Sequence, residues 1–196
     1  MAKSTAKTKI IETALSLFNS RGSRVITTNH IAEACGISPG TLYYHFANKE
    51  EIIREIYRQM GREWAEKASG ITEINMQAFH EIRNLSDTMC YKYQFLTTEL
   101  YALCQADEEL NRMNTALLHE RKVMTRYMLE QLIINEGFEP LDEISMDALV
   151  DTIWVFAVFW YPYQLMVYPD YEGNATMPKI DVLFQKFLIK KQTPDT

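Results

Sequence analysis

The sequence predicts an all-α protein: a three-helix N-terminal head joined to a larger helical body, about nine helices in all. Three observations lead there. Apolar residues recur at three- and four-residue spacing along most of the chain, and nowhere do they alternate as in a half-buried strand. Most of these runs follow a Thr, Ser, Asn or Asp, and several end at Gly, the residues that cap helix starts and ends. Seven Gly and six Pro in 196 residues argue against a loop-rich chain.

The elements follow in order. Ile10, Ile11, Ala14, Leu15, Leu17 and Phe18 predict a first helix over about 5–21, stopped by Gly22. Thr27 or Thr28 caps a short second helix carrying Ile31, Ala32, Ala34 and Cys35, which Gly36 ends. Ser38 caps a third, with Pro39 at its first position, where no N–H is needed. Two short helices separated by Gly-Ile-Ser form a helix-turn-helix pattern. Asn48 caps a long fourth helix reaching Ala68, with Glu50 and Glu51 at its positive end and an apolar face of Ile52, Ile53, Ile56, Tyr57, Met60 and Trp64. Further helices are expected over about 75–91 and 93–105, then from an Asp107 cap to Glu136-Gly137. Asp142 or Ser145 starts an apolar helix to about Tyr168, with a kink expected at Pro162. A loop from Pro169 to Thr176 and a closing helix over Met177 to Ile189 complete the pattern.

On the third helix, Leu42 and Phe46 lie four residues apart and share one face, so they form the core pair against Ile31, Cys35 and Ile37. Gly40, Thr41, Tyr44 and His45 then point outward, with Tyr43 at the flank. Small, hydroxyl and imidazole groups make a poor core and a good groove reader. Thr41 suits a base edge or a thymine methyl. The hydroxyls of Tyr43 and Tyr44, and the imidazole of His45, suit phosphate oxygens. Gly40 allows close approach of the backbone to phosphate, and Lys49 is expected to add an ionic contact. Charge agrees. Residues 1–49 hold six Lys and Arg against Glu12 and Glu33, a net of +4, and since the whole chain is −6 the remainder carries −10. A basic head on an acidic body points to a polyanion-binding module attached to something else.

The stretch TTNHIAEACGISPGTLYYHFANKEEI, Thr27 to Ile52, with the preceding IIETALSLFNSRG, resembles the tetracycline repressor (TetR) family of bacterial transcription regulators. The resemblance implies an all-α fold, a homodimer, and a C-terminal domain whose small-molecule ligand controls binding to a DNA operator. It implies that Thr28, Ser38, Gly40, Thr41, Tyr43, Tyr44, His45 and Lys49 stand at positions that commonly touch DNA. Pro39 departs from the pattern: many members carry a basic residue there, so one contact is expected to be missing.

The division expected is a DNA-binding head, residues 1–49, and a ligand-binding and dimerisation domain, residues 50–196. In the body two aromatic stretches stand out, CYKYQFLTTELYAL from Cys90 and IWVFAVFWYPYQLMVY from Ile153. The second is apolar nearly all round and must be buried on more than one side, across a dimer twofold and toward the interior. Phe95, Glu99, Trp154, Phe159 and Gln164 are the candidate lining of an apolar pocket, core packing being the alternative for each. A hydrophobic or aromatic ligand is expected, because Lys92, Arg112, Arg121, Lys122 and Arg126 read as solvated faces.

Other classes find no support. No nucleophile elbow, phosphate loop or dinucleotide fingerprint occurs, so no enzyme is expected. No cofactor or metal is expected, since His80 and His119 are isolated and the three cysteines lack metal or disulfide spacing. The apolar run from Ile153 to Val167, interrupted by Pro162 and Gln164, is shorter than the roughly 20 residues of a membrane span, and no secretory signal is recognised; a cytoplasmic protein is expected. The second reading of control is oxidation of Cys35, or a protein partner, in place of a small molecule.

Overall fold

The computed structural model describes residues 5–168 and Leu188. Eight helices occur among them: α1 (Ala6–Arg21), α2 (Thr28–Cys35), α3 (Pro39–His45), α4 (Lys49–Ala68), α5 (Met76–Lys92), α6 (Gln94–Ala106), α7 (Glu108–Glu136) and α8 (Glu143–Val167). The architecture is all-α, as expected. The loop from Pro169 and the closing helix expected over 177–189 lie outside the described residues.

The capping residues set these boundaries. Thr5, Ser38, Asn48 and Asn75 each accept a backbone N–H three residues on, at 3.3, 3.1, 2.8 and 2.9 Å. Thr27 caps α2 by accepting from the His30 N–H at 3.3 Å, and His30 Nδ1 accepts the Thr27 N–H in return at 3.2 Å. Histidine here fills the role usually taken by Glu or Gln in a reciprocal cap. Gly36 ends α2 at φ 66°, in the left-handed region that suits glycine. Asp107 caps α7 through Oδ1 while its Oδ2 accepts from Arg54 of α4 at 2.7 Å. Helix α8 begins at the Asp142 cap and continues past Pro162 to Val167.

One apolar core runs from the head into the body. Ile10, Ala14 and Phe18 of α1, Ile31 and Cys35 of α2, and Leu42 and Phe46 meet Ile52, Ile56 and Tyr57 of α4, then Phe95 and Leu96 of α6. The predicted Leu42–Phe46 pair is in this core, fully buried. A second cluster holds Leu129, Leu132 and Ile133 of α7 against Met146, Leu149 and Val150 of α8, with Leu188. At 25 residues α8 exceeds the apolar run read from sequence, and by length and composition it reaches the range of a membrane span. Its apolarity divides between this core, a cavity wall and an exposed stripe.

Candidate DNA-reading face and effector cavity

Helix α3 presents its polar face outward because Leu42 and the following Phe46 anchor the opposite side. Tyr44 is 86% exposed, the most open aromatic of the head. Its ring meets His45 edge-on, centroids 5.2 Å apart. Tyr43 is half exposed, and its hydroxyl pairs with the Thr28 hydroxyl at 3.0 Å, joining α2 to α3. Ser38 and Thr41 hydroxyls pair at 2.9 Å. Ser38, Gly40 and Thr41 are exposed, so this face brings together the predicted residues of α3 with Thr28 beside them.

Lys49 is placed differently from the expectation. Its Nζ donates to the Ser23 carbonyl at 2.9 Å and the Ile26 carbonyl at 3.1 Å. Two of its three donors therefore hold the α1–α2 turn against the start of α4, leaving one for a phosphate. Lys9 is likewise committed, to the Cys35 carbonyl at 2.8 Å. These amines shape the head from within, a role that residue type alone does not reveal.

Tyr44→Phe removes one exposed hydroxyl and no packing. It is expected to leave the thermal midpoint unchanged and, if this face meets DNA, to weaken DNA binding by about 0.5–1.5 kcal/mol, one hydrogen bond's worth. Fluorescence anisotropy on labelled duplex, beside a melting curve, checks both.

The body contains a cavity of about 140 Å³, walled by five helices. Tyr57, Met60 and Trp64 come from α4, Met89 and Cys90 from α5, and Leu96, Thr97 and Leu100 from α6. Asn114, Leu117, Leu118 and Arg121 come from α7, and Trp154, Ala157 and Val158 from α8. The wall is mainly apolar, as small-molecule sites are. Its polar groups are largely matched: the Tyr57 hydroxyl donates to Asn114 Oδ1 at 3.0 Å, and Trp154 Nε1 donates to Thr125 at 3.2 Å. Burial pushes the Tyr57 phenol up to about 12 and the Cys90 thiol up to about 11, so both stay protonated near neutral pH.

Of the five predicted lining residues, Trp154 stands on this wall and four lie elsewhere. Phe95 is in the head–body core, its ring 4.9 Å from that of Phe18. Glu99 faces the head: its Oε2 accepts from the Ser23 hydroxyl at 2.5 Å and its Oε1 from the Ser23 N–H at 3.0 Å. Phe159 is 60% exposed, and Gln164 is buried away from the cavity. A helix apolar on every side hides its phase, so spacing alone did not say which ring turns inward.

The structure also corrects one residue read as solvated. Arg121 lines the cavity with its guanidinium over the Trp64 ring, 4.9 Å from the centroid. The signal was present, since Asn114, Leu117, Leu118 and Arg121 fall at helical spacing on one face of α7. Lys92 is exposed, as read, and donates to Glu63 at 2.5 Å.

Helices α4 and α6 touch both cavity and head, and α5 joins them at its last residue, Lys92. Helix α6 has no side-chain cap of its own; Asn19 of α1 supplies one, its Oδ1 accepting from the Phe95 N–H at 3.0 Å and its Nδ2 donating to the Lys92 carbonyl at 2.9 Å. Gly22 lies at φ 79°, and a Cβ built there stands 3.3 Å from Glu99 Oε1, so turn and carboxyl fit closely. Helix α4 carries Tyr57, Met60 and Trp64 into the wall and packs Ile52 and Ile53 into the head.

Comparison with known proteins points to a DNA-binding regulator. Residues 10–56 match the family profile described as bacterial regulatory proteins, tetR family, and residues 53–182 match the one described as bacterial transcriptional repressor. The HTH-type transcriptional repressor KstR2 of Rhodococcus jostii is 28% identical over 169 residues, 81% of each chain. The HTH-type transcriptional regulator QacR of Staphylococcus aureus is 31% identical over 140 residues, 67% of this chain and 70% of that one. Among solved structures, a TetR-family transcriptional regulator from Marinobacter aquaeolei superposes with a TM-score of 0.79 at 27% identity, covering 84% of this chain and 82% of the other. These relatives are transcriptional regulators, not enzymes. With both profiles matched, and the second spanning more than half its length, this chain is a DNA-binding regulator that belongs to the TetR family.

Proposed function

We propose that this regulator is a homodimeric repressor, acting in the cytoplasm, that leaves a palindromic operator when a small, largely apolar effector fills the cavity. Residues 1–49 act as reader, and residues 50–196 as effector-binding and dimerisation domain. The face of Thr28, Ser38, Gly40, Thr41, Tyr43, Tyr44 and His45 meets the major groove, with Lys49 contributing its remaining N–H to the backbone. The observation that carries this reading is that α4 and α6 each form cavity wall on one side and head contact on the other. An effector that displaces either helix moves the reader. The ligand then shifts operator affinity by its differential binding to the two arrangements, a coupling of roughly 1–3 kcal/mol in typical allostery.

Dimerisation is supported by an exposed apolar stripe on α8. Ile144, Val155, Phe159, Tyr163 and Met166 recur near helical spacing on the side away from the core. A self-complementary face of this kind suits an isologous twofold contact. In that dimer the two readers enter successive major grooves, roughly 34–36 Å apart. Control by Cys35 oxidation finds less support: the thiol is 2% exposed and points its S–H at the Lys9 carbonyl.

The Glu99 clasp tests the coupling. Glu99→Ala leaves the buried Ser23 groups without their acceptor, and is expected to cost about 1–3 kcal/mol of stability. Operator affinity is then expected to respond less to effector than in the wild type, at equal effector occupancy. Anisotropy titrations of both proteins on operator DNA, with and without an effector found by screening, measure this; an undiminished response overturns the clasp as the route.

A further inference from the structure

The cavity wall carries a positive charge, Arg121, that pairs with no carboxylate among the described residues. Arg54, Arg58, Arg62, Arg112 and Arg126 each pair with a carboxylate. Arg121 makes no ion pair or hydrogen bond among the described residues; its guanidinium lies over the Trp64 ring. The groups facing it do not supply a counter-charge. On α4 the Tyr57 hydroxyl is engaged by Asn114 of α7. On α5 the Ser86 hydroxyl donates to the Ile82 carbonyl, and the Cys90 thiol stays protonated. On α6 the Thr97 hydroxyl donates toward the Cys90 carbonyl. Glu120, the charged neighbour on α7, is exposed. Desolvation lowers the Arg121 pKa from its ordinary value, the mark of a cation drawn out of water.

A desolvated cation without a partner is costly, and an arriving anion removes that cost. The guanidinium carbon lies over the Trp64 ring, 4.9 Å from its centroid, and with no described carboxylate on them its N–H donors can fork onto two oxygens, the geometry of a carboxylate. Much of the remaining wall, including Met60, Leu96, Leu100, Leu117 and Val158, is apolar. Its volume, about 140 Å³, is close to the roughly 150 Å³ of a dry cavity that admits benzene. Resting on the reading of this cavity as the effector site, we infer that it takes a monocarboxylate with a single-ring or short aliphatic body, and that Arg121 receives the carboxylate.

The test measures binding without DNA, by calorimetry and by the fluorescence of Trp64 and Trp154. The probes are phenylacetate against 2-phenylethanol, and hexanoate against hexanol. The acids are expected to bind the full-length protein at least about tenfold tighter than the matching alcohols. Arg121→Met, which keeps length and packing, is expected to erase that preference and leave alcohol affinity within about threefold. Arg121→Lys is expected to retain part of it, which separates lost charge from lost folding. Equal binding of acid and alcohol to wild type, no binding of either acid, or an acid preference that survives in Arg121→Met overturns the inference. An operator titration separates the two claims. An acid that binds through Arg121 without changing operator affinity upholds the inference and overturns the proposed release. An alcohol that releases the operator better than its acid upholds release and overturns the inference.

Discussion

Phe46→Ala is expected to destabilise the reader head by about 3–5 kcal/mol, the cost of truncating a buried aromatic ring. Phe46 is 2% exposed and sits at the end of α3, where its backbone N–H still closes the last turn on the Leu42 carbonyl at 3.0 Å. It packs in the same core as Ile31, Leu42 and Ile52, and Lys7 lies over its ring at 5.3 Å. Removing it leaves a void that α2, α3 and the start of α4 cannot all close. Because that core continues through Phe18 to Phe95, the loss is expected to lower the midpoint of the whole denaturation curve, not a separate head transition. Urea unfolding followed by circular dichroism measures it, and an unchanged midpoint contradicts it. The contrast with Tyr44→Phe is the informative part: Phe46 is held by packing, while Tyr44, two residues earlier and exposed, is proposed to meet DNA.

Phe159→Glu is expected to dissociate the proposed dimer and, with it, most operator affinity. Phe159 lies amid the exposed stripe of α8, between Val155 and Tyr163. In a twofold interface each substitution occurs twice. If each loses about 2 kcal/mol, as a central aromatic anchor does, dimer affinity falls about a thousandfold. Sedimentation at micromolar protein is expected to show dimer for wild type and monomer for the variant, with helical content unchanged. A variant that remains dimeric places the interface elsewhere.

Much of the fold was legible because helix ends are written locally. Thr27, Ser38, Asn48, Asn75, Asp107 and Asp142 each cap a helix where sequence places one, and Gly22, Gly36 and Gly137 stop three more ends. The exception is informative. Helix α6 is capped by Asn19, 76 residues before the Phe95 N–H it serves, and no local pattern records such a partner. The outward face of α3 was legible for the same local reason, since Leu42 and Phe46 fix its phase. The cavity was not. Helix α8 is apolar all round, so periodicity could not assign Trp154 inward and Phe159 outward. Glu99 was sensed as an interior polar group, but its partner, Ser23, lies across the head–body junction. The charge of Arg121 suggests a solvated face, but its register with Leu117 and Leu118 places it on the cavity wall.

Selection of bound duplexes from a random-sequence pool by the purified full-length protein tests the central claim most directly. The proposed mode of action predicts enrichment of an inverted repeat whose half-site centres lie roughly 34–36 Å apart along the helix axis. Enrichment of no sequence, or of a single site without a repeat, would contradict a dimer that reads DNA through α3.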